Sequence, residues 1–141
     1  MLYELLYTSV STRVMGTDDL VSLLEQARIK NARLGVTGLL VYHNREFMQL
    51  LEGEKNTVLS LWQTIRSDER HMSARSIYEG ELDERGFVNW RMGFHELTDM
   101  NAQELDGFSN FLSKGFTSEV VANNPSVARR LMENIGEFFF K

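Results

Sequence analysis

The chain contains no cysteine. Disulfides, thiolate nucleophiles and cysteine metal sites are therefore excluded, and the absence suits a reducing cytoplasm. No uninterrupted apolar run approaches the ~20 residues that a membrane span needs. The start, MLYELLYTS, lacks a basic stretch, a long apolar core and a small-residue cleavage site, so no signal peptide is expected. Runs of like charge are absent too, which leaves out polybasic and acidic tails. Basic residues are the minority, 15 against 20 acidic, and the net charge of -5 argues against a nucleic-acid surface. His43, His71 and His95 do not have metal-ligand spacing. These absences point to a cytoplasmic protein with no membrane and no nucleic-acid contact.

What is present is enough for one domain with a small appendage. The 141 residues are 43% hydrophobic and 25% charged, a foldable balance. Residues 2–8 read as a strand. Thr17 is expected to cap a helix whose first turn holds Asp18 and Asp19. Leu20, Leu23, Leu24 and Ala27 mark its apolar face, and Gly35 is placed to end it in a left-handed conformation. Residues 36–42 and 46–52 read as two arms of a hairpin, with Asn44 suited to positive φ between them. Val58, Leu61, Trp62 and Ile65 fall at helical spacing. Residues 76–82 and 90–96 read as two further strands.

The order β-α-β-β-α-β-β is an α+β, ferredoxin-like pattern with one extra strand. We expect a five-stranded mixed sheet with the two helices on one face. A C-terminal extension, residues 98–141, follows the first domain, residues 1–97. It is read as two helices, one from Met100 to Leu112 and one started by Asn124 and Pro125. Val127, Leu131, Ile135 and Phe138 line the last helix, which ends in EFFFK. So apolar an appendage should pack on the open sheet face or on another subunit.

Strand side chains alternate between faces. Tyr3, Leu5 and Tyr7 share one face, as do Phe47, Gln49 and Leu51. The first and third strands are neighbours in this topology, so Tyr7 and Gln49 are candidate cross-strand partners. A buried amide without a partner costs on the order of 1–3 kcal/mol, and the Tyr7 hydroxyl is the natural candidate. A plain packing reading stands beside this one: Tyr7 as a core aromatic, Gln49 bonded to backbone, Asn31 as a cap-region residue, and Trp90 and Met92 as core.

The strings around these residues carry a resemblance. Tyr7 stands in YTS, Asn31 is followed by LGVTG, Gln49 lies in FMQLLEG, residues 68–71 read DERH, and Trp90 and Met92 form W-x-M. Over residues 1–97 the sequence resembles the BLUF family, blue-light sensors that bind FAD. The resemblance implies a flavin between the two helices. Asn31 would bond the carbonyl edge of the ring, and Gln49 would bridge the ring and Tyr7. Asp68, Arg70 and His71, in the loop after the second helix, would contact the ribityl chain and ring edge. Trp90 and Met92 would stand at the positions that exchange near the flavin. Lys30 precedes Asn31 where other members have histidine or asparagine, and Thr64 stands where some have an arginine that meets phosphate. Lys30 or Arg28 is the substitute for that anchor. FAD is the family default, with FMN and riboflavin as alternatives.

The C-terminal helices resemble those of short members without an enzymatic output domain, so no enzyme is expected. Such proteins self-associate and signal to a downstream protein partner. Two rival readings are a ferredoxin-like binding module and an acyl-phosphate hydrolase. The hydrolase needs an arginine-lined phosphate loop that LYTSVSTRVMG matches poorly. A flavin oxidoreductase would call for a G-x-G-x-x-G fingerprint, which is missing.

Overall fold

Ten residues of alternating side chains open the chain as β1 (Leu2–Ser11), and the rest of the sheet is assembled around that strand. A computed structural model describes residues 1–86, 93–96, 117 and 119–139. After β1 come α1 (Thr17–Leu34), β2 (Thr37–His43), β3 (Glu46–Glu54), α2 (Lys55–Arg66), β4 (His71–Leu82) and β5 (Gly93–Glu96). Two helices follow, α3 (Glu119–Ala122) and α4 (Pro125–Phe139). The strands form one sheet in the order β4-β1-β3-β2-β5. β1 is antiparallel to β3 and β4, β2 is antiparallel to β3, and β5 runs parallel to β2. The architecture is α+β and ferredoxin-like, as the element order suggested. The strand at 90–96 is described only from Gly93, and the helix expected at 100–112 lies outside the described residues. Among those residues, no helix is long and apolar enough to cross a membrane.

Local chemistry sets the element ends, with some differences from expectation. Gly16, not Thr17, is the N-cap of α1. Asp19 at the third helical position makes this workable, because its carboxylate accepts the Gly16 N–H at 3.1 Å. Gly35 closes the helix at φ 71° and ψ 30°. Its N–H bonds Ala32 O, and the N–H of Val36 bonds Asn31 O. Glu54 caps α2 by accepting the Thr57 N–H. In the β2–β3 turn both Asn44 and Arg45 have positive φ, 48° and 69°. Arg45 holds its unexpected conformation through Ser11: its Nη2 donates to Ser11 O at 2.9 Å, and its carbonyl accepts the Ser11 N–H at 2.7 Å.

β4 begins at His71, five residues earlier than the alternation suggested. Its pairing with β1 is irregular at Leu6/Tyr7 and Thr8/Val10, and Ser73 has φ 55°. Such bulges break the two-residue period that a sequence reading relies on.

The sheet buries both faces. On one, Tyr3, Leu5, Tyr7, Leu40, Tyr42, Phe47 and Leu51 pack with Leu20 of α1 and with Val58, Leu61 and Trp62 of α2. On the other, Leu6, Leu39, Val41, Met48 and Leu50 are buried. α4 is anchored to this second face by Arg129, which donates from Nε and Nη2 to the Glu4 carboxylate at 2.6 and 3.0 Å. With Arg129 so fixed, α4 buries Ala128, Leu131 and Met132 and leaves Val127 exposed. This corrects the apolar line drawn through Val127. The side chains of Ile135 and Phe138 lie beyond those described.

Glu4 and Glu52 are direct cross-strand partners on this face, and both are buried. Glu52 accepts the Thr37 hydroxyl at 3.0 Å and the Gly86 N–H at 2.7 Å.

Two glycines provide a test of the backbone. Gly38 in β2 has φ 151°, and a Cβ there would lie 1.9 Å from the Leu50 carbonyl oxygen. At Gly35 a Cβ would meet nothing within 4 Å. Gly35→Ala should cost only the left-handed strain, about 1–2 kcal/mol. Gly38→Ala should cost clearly more, since a backbone clash joins the strain. Urea unfolding of both variants checks this, and an equal loss at the two positions would count against the close approach of β2 and β3.

Candidate functional site

Helix α1 carries an apolar stripe, Leu20, Leu24 and Ala27, spaced four and three residues apart. The next position in that stripe is not apolar: it is Asn31, only 3% exposed. On β3 the same substitution occurs, with Gln49, 5% exposed, set between Phe47 and Leu51. Two side-chain amides are thus placed where periodicity calls for hydrocarbon. Both line a cavity of about 300 Å³ between α1, α2 and the sheet. Leu23 and Ala27 come from α1, Leu61 and Ile65 from α2, and Leu40 and Phe47 from the strands.

Tyr7 is the Cα partner of Gln49 across β1 and β3, and its hydroxyl donates to Gln49 Oε1. Burial pushes the Tyr7 phenol well above its ordinary value, and the Asp68 charge adds to the shift. Tyr7 therefore remains a neutral donor at neutral pH. With Oε1 facing Tyr7, the amide nitrogen is the donor end of Gln49. The Trp62 ring lies against Tyr7, with centroids 4.9 Å apart and planes tilted by 40°.

His71 meets the Tyr7 ring edge-on at 6.2 Å. Its Nε2 lies 2.5 Å from Ile65 O and its Nδ1 2.9 Å from Ser9 Oγ. A carbonyl can only accept, so Nε2 carries a hydrogen and donates it to Ile65 O, while Nδ1 pairs with the Ser9 hydroxyl. This clamps the last turn of α2 to the sheet. His71 does so as the first residue of β4, not as a loop residue.

Asp68 and Arg70 lie at the rim and bind each other. Arg70 Nε and Nη2 donate to the Asp68 carboxylate at 2.6–3.1 Å, and Nη1 donates to Gln26 Oε1 on α1 at 3.0 Å. The Arg70 guanidinium holds the Asp68 carboxyl below its usual range. Lys30 lies at the mouth, where a second groove continues along Asn56, Thr57, Ser60 and Thr64.

The structure thus gathers Tyr7, Lys30, Asn31, Gln49, Asp68, Arg70 and His71 around one cavity. Trp90 and Met92 lie outside the described residues. Sequence reasoning missed Met15 and Gln26 as lining residues, and it took Trp62 only as helix core. Gln26 carries no local signal, because its partner Arg70 is 44 positions away. Among the described residues, no cluster of three or more His, Asp or Glu could hold a metal. Apolar walls with two amides at the inner side suit a flat heteroaromatic ring whose edge alternates donors and acceptors. An isoalloxazine has that character, so these residues fit a flavin.

Comparison with known proteins agrees with this fit. A family model described as "BLUF: Sensors of blue-light using FAD" matches residues 2–93. The photoactivated adenylate cyclase subunit beta of Euglena longa is 37% identical over 124 residues, which is 83% of this chain. The corresponding subunit of Euglena gracilis is 38% identical over the same length. The chain spans only 14% of the length of these relatives. Among solved structures, the dark state of BlrB, a BLUF protein, superposes with a TM-score of 0.79 at 24% identity, covering 98% of this chain and 97% of that one. That likeness is one of fold. Photo-activated BlsA gives 0.74 at 26% identity, with 94% and 92% covered.

The Tyr7–Gln49 bond can be weighed in the flavin-free protein. Tyr7→Phe, Gln49→Leu and the double variant, compared by denaturant unfolding, should give a coupling of about 1 kcal/mol. Losses that simply add, within about 0.5 kcal/mol, would mean that the two groups are independent.

Proposed function

The chain belongs to the BLUF family, the sensors of blue light using FAD, and on that premise we propose that it responds to light through the Tyr7–Gln49 pair, with a flavin held in the α1–α2 cavity. The observation that carries this reading is the buried hydrogen bond from Tyr7 to Gln49 on the cavity wall. Blue light turns an oxidised flavin into a strong electron acceptor, and that is the chemistry the group supplies when bound.

The rest falls to the protein. Asn31 and Gln49 orient the ring through their amides, and the apolar walls keep water away from it. Tyr7 is the donor. Its electron leaves for the excited acceptor together with its proton, which moves along the hydrogen bond to Gln49, and both return to restore the neutral phenol. The amide of Gln49 then turns or tautomerises, exchanging its donor and acceptor ends. A carboxylate could not make this exchange and would bring charge into an apolar site. What remains is a rearranged set of hydrogen bonds, an output expressed as a change of population between two arrangements.

Lys30 and the hydroxyls of Thr57, Ser60 and Thr64 support the phosphate end of FAD, taking over where other members use arginine. The rim pair Asp68–Arg70, tied to Gln26, holds α1 against the α2–β4 loop around the ribityl chain. Trp90 and Met92 relay the change toward the C-terminal extension, residues 98–141, which serves self-association and a downstream protein partner. The reading places the protein in the cytoplasm.

Tyr7→Phe should bind flavin normally and lose the reversible red shift that follows a blue flash. A normal shift in that variant, seen by absorption spectroscopy, would sink the mechanism. Lys30→Gln should weaken FAD by up to about tenfold, on the order of 1.4 kcal/mol, and leave riboflavin unaffected. Titration of both ligands decides, because equal losses would remove Lys30 from the phosphate end.

A further inference from the structure

We propose that Trp62 is a second electron donor, packed against Tyr7, and that Arg66 restrains it so that Tyr7 does the productive work. The proposal rests on the reading of Tyr7 as donor to a light-excited flavin. Indole and phenol are the two most easily oxidised aromatic side chains, and here they are in contact. The ring centroids of Tyr7 and Trp62 are 4.9 Å apart. Trp62 is 6% exposed and does not line the cavity, whereas Tyr7 does. An electron leaving Trp62 has a path through a ring in van der Waals contact.

The two donors differ in consequence. Tyr7 loses its electron together with a proton, and that proton drives the Gln49 amide. Trp62 can lose an electron alone. One electron leaves the indole and the same electron returns to it; no bond forms or breaks and no proton moves. Gln49 is not driven, and the photon is wasted.

Arg66 lies one helical turn after Trp62. Its Cζ stands 5.7 Å from the indole centroid. A cation over an aromatic face is attracted to the neutral ring. The same cation repels the positive charge that oxidation would leave there. Trp62 is thereby made harder to oxidise, while Tyr7 has its own outlet for charge through Gln49. Selection between the two donors is built from one tilted ring contact and one guanidinium.

The test is flavin fluorescence decay in the FAD-loaded protein, with Trp90→Phe throughout to remove the other tryptophan. Tyr7→Phe must first lengthen the decay; if it does not, the donor reading itself fails, whatever Trp62 does. In that background Trp62→Phe should lengthen the decay again, and Arg66→Gln should shorten it, each by about two- to fivefold. Adding Trp62→Phe to the Arg66→Gln protein should restore the long decay. With Tyr7 intact, Arg66→Gln should lower the red-shift yield per absorbed photon. The proposal is overturned if Trp62→Phe leaves the decay unchanged, or if Arg66→Gln acts equally with and without the indole. Arg66 is exposed, so its substitution spares the fold. If Trp62→Phe does not fold, an unchanged decay in Arg66→Gln is enough to overturn the proposal.

Discussion

A phenol and an amide share a hydrogen bond inside an otherwise apolar sheet face, and the register of β1 on β3 keeps them together. Side chains on paired strands repeat every two residues, so a slip of one position would turn Tyr7 and Gln49 to opposite faces. A slip of β1 would also turn Leu5 away from the helix-covered face and Glu4 away from Arg129. The hydrophobic pattern and the polar pair therefore enforce the same register. The pair needs its covering helices, because the bond gains weight from the low dielectric around it. The helices in turn need the sheet, to which His71 clamps the last turn of α2. Photochemical reading and fold stability thus rest on the same few residues.

Much of this is legible in the sequence. The Tyr7–Gln49 adjacency follows from a two-residue period and a familiar strand order. Asn31 is legible only through the resemblance; its burial at the end of the α1 stripe is a finding of the structure. The parts that escaped share a physical cause. Arg70 bonds Gln26 and Arg129 bonds Glu4, across 44 and 125 positions, and no local pattern announces so distant a partner. Trp62 looked like helix core, which it is; its contact with Tyr7 depends on how α2 crosses the sheet. The start of β4 at His71 is hidden in the sequence because bulges break its alternation. On α4, Leu131 is buried as expected and Val127 is exposed, with Ala128 and Met132 turned inward beside the Arg129–Glu4 pair.

The second sheet face has its own electrostatic arrangement. Glu4 and Glu52 stand opposite each other on neighbouring strands, where like charges repel. Each is compensated from a different part of the chain, Glu4 by Arg129 of α4 and Glu52 by Thr37 and the Gly86 N–H. The C-terminal helix and the segment after β4 are thus fastened to adjacent points on the strands that carry Tyr7 and Gln49. The cyclase subunits it resembles are far longer than this chain.

The alternation of side chains along β1 and β3 has a mechanical corollary. Tyr7 and Gln49 project to one side of the sheet, and Glu4 and Glu52 to the other. No side chain of these strands belongs to both layers; they have in common only the peptide planes between them. On the proposed mechanism, a turned Gln49 amide reaches the Glu4–Glu52 layer through β1 and β3 by a tilt or shear of strand backbone, in the way a door panel moves when its handle is pushed from the far side. A stiff sheet is then part of the transmission, and the residues that hold its strands in line matter as much as those that touch the ligand.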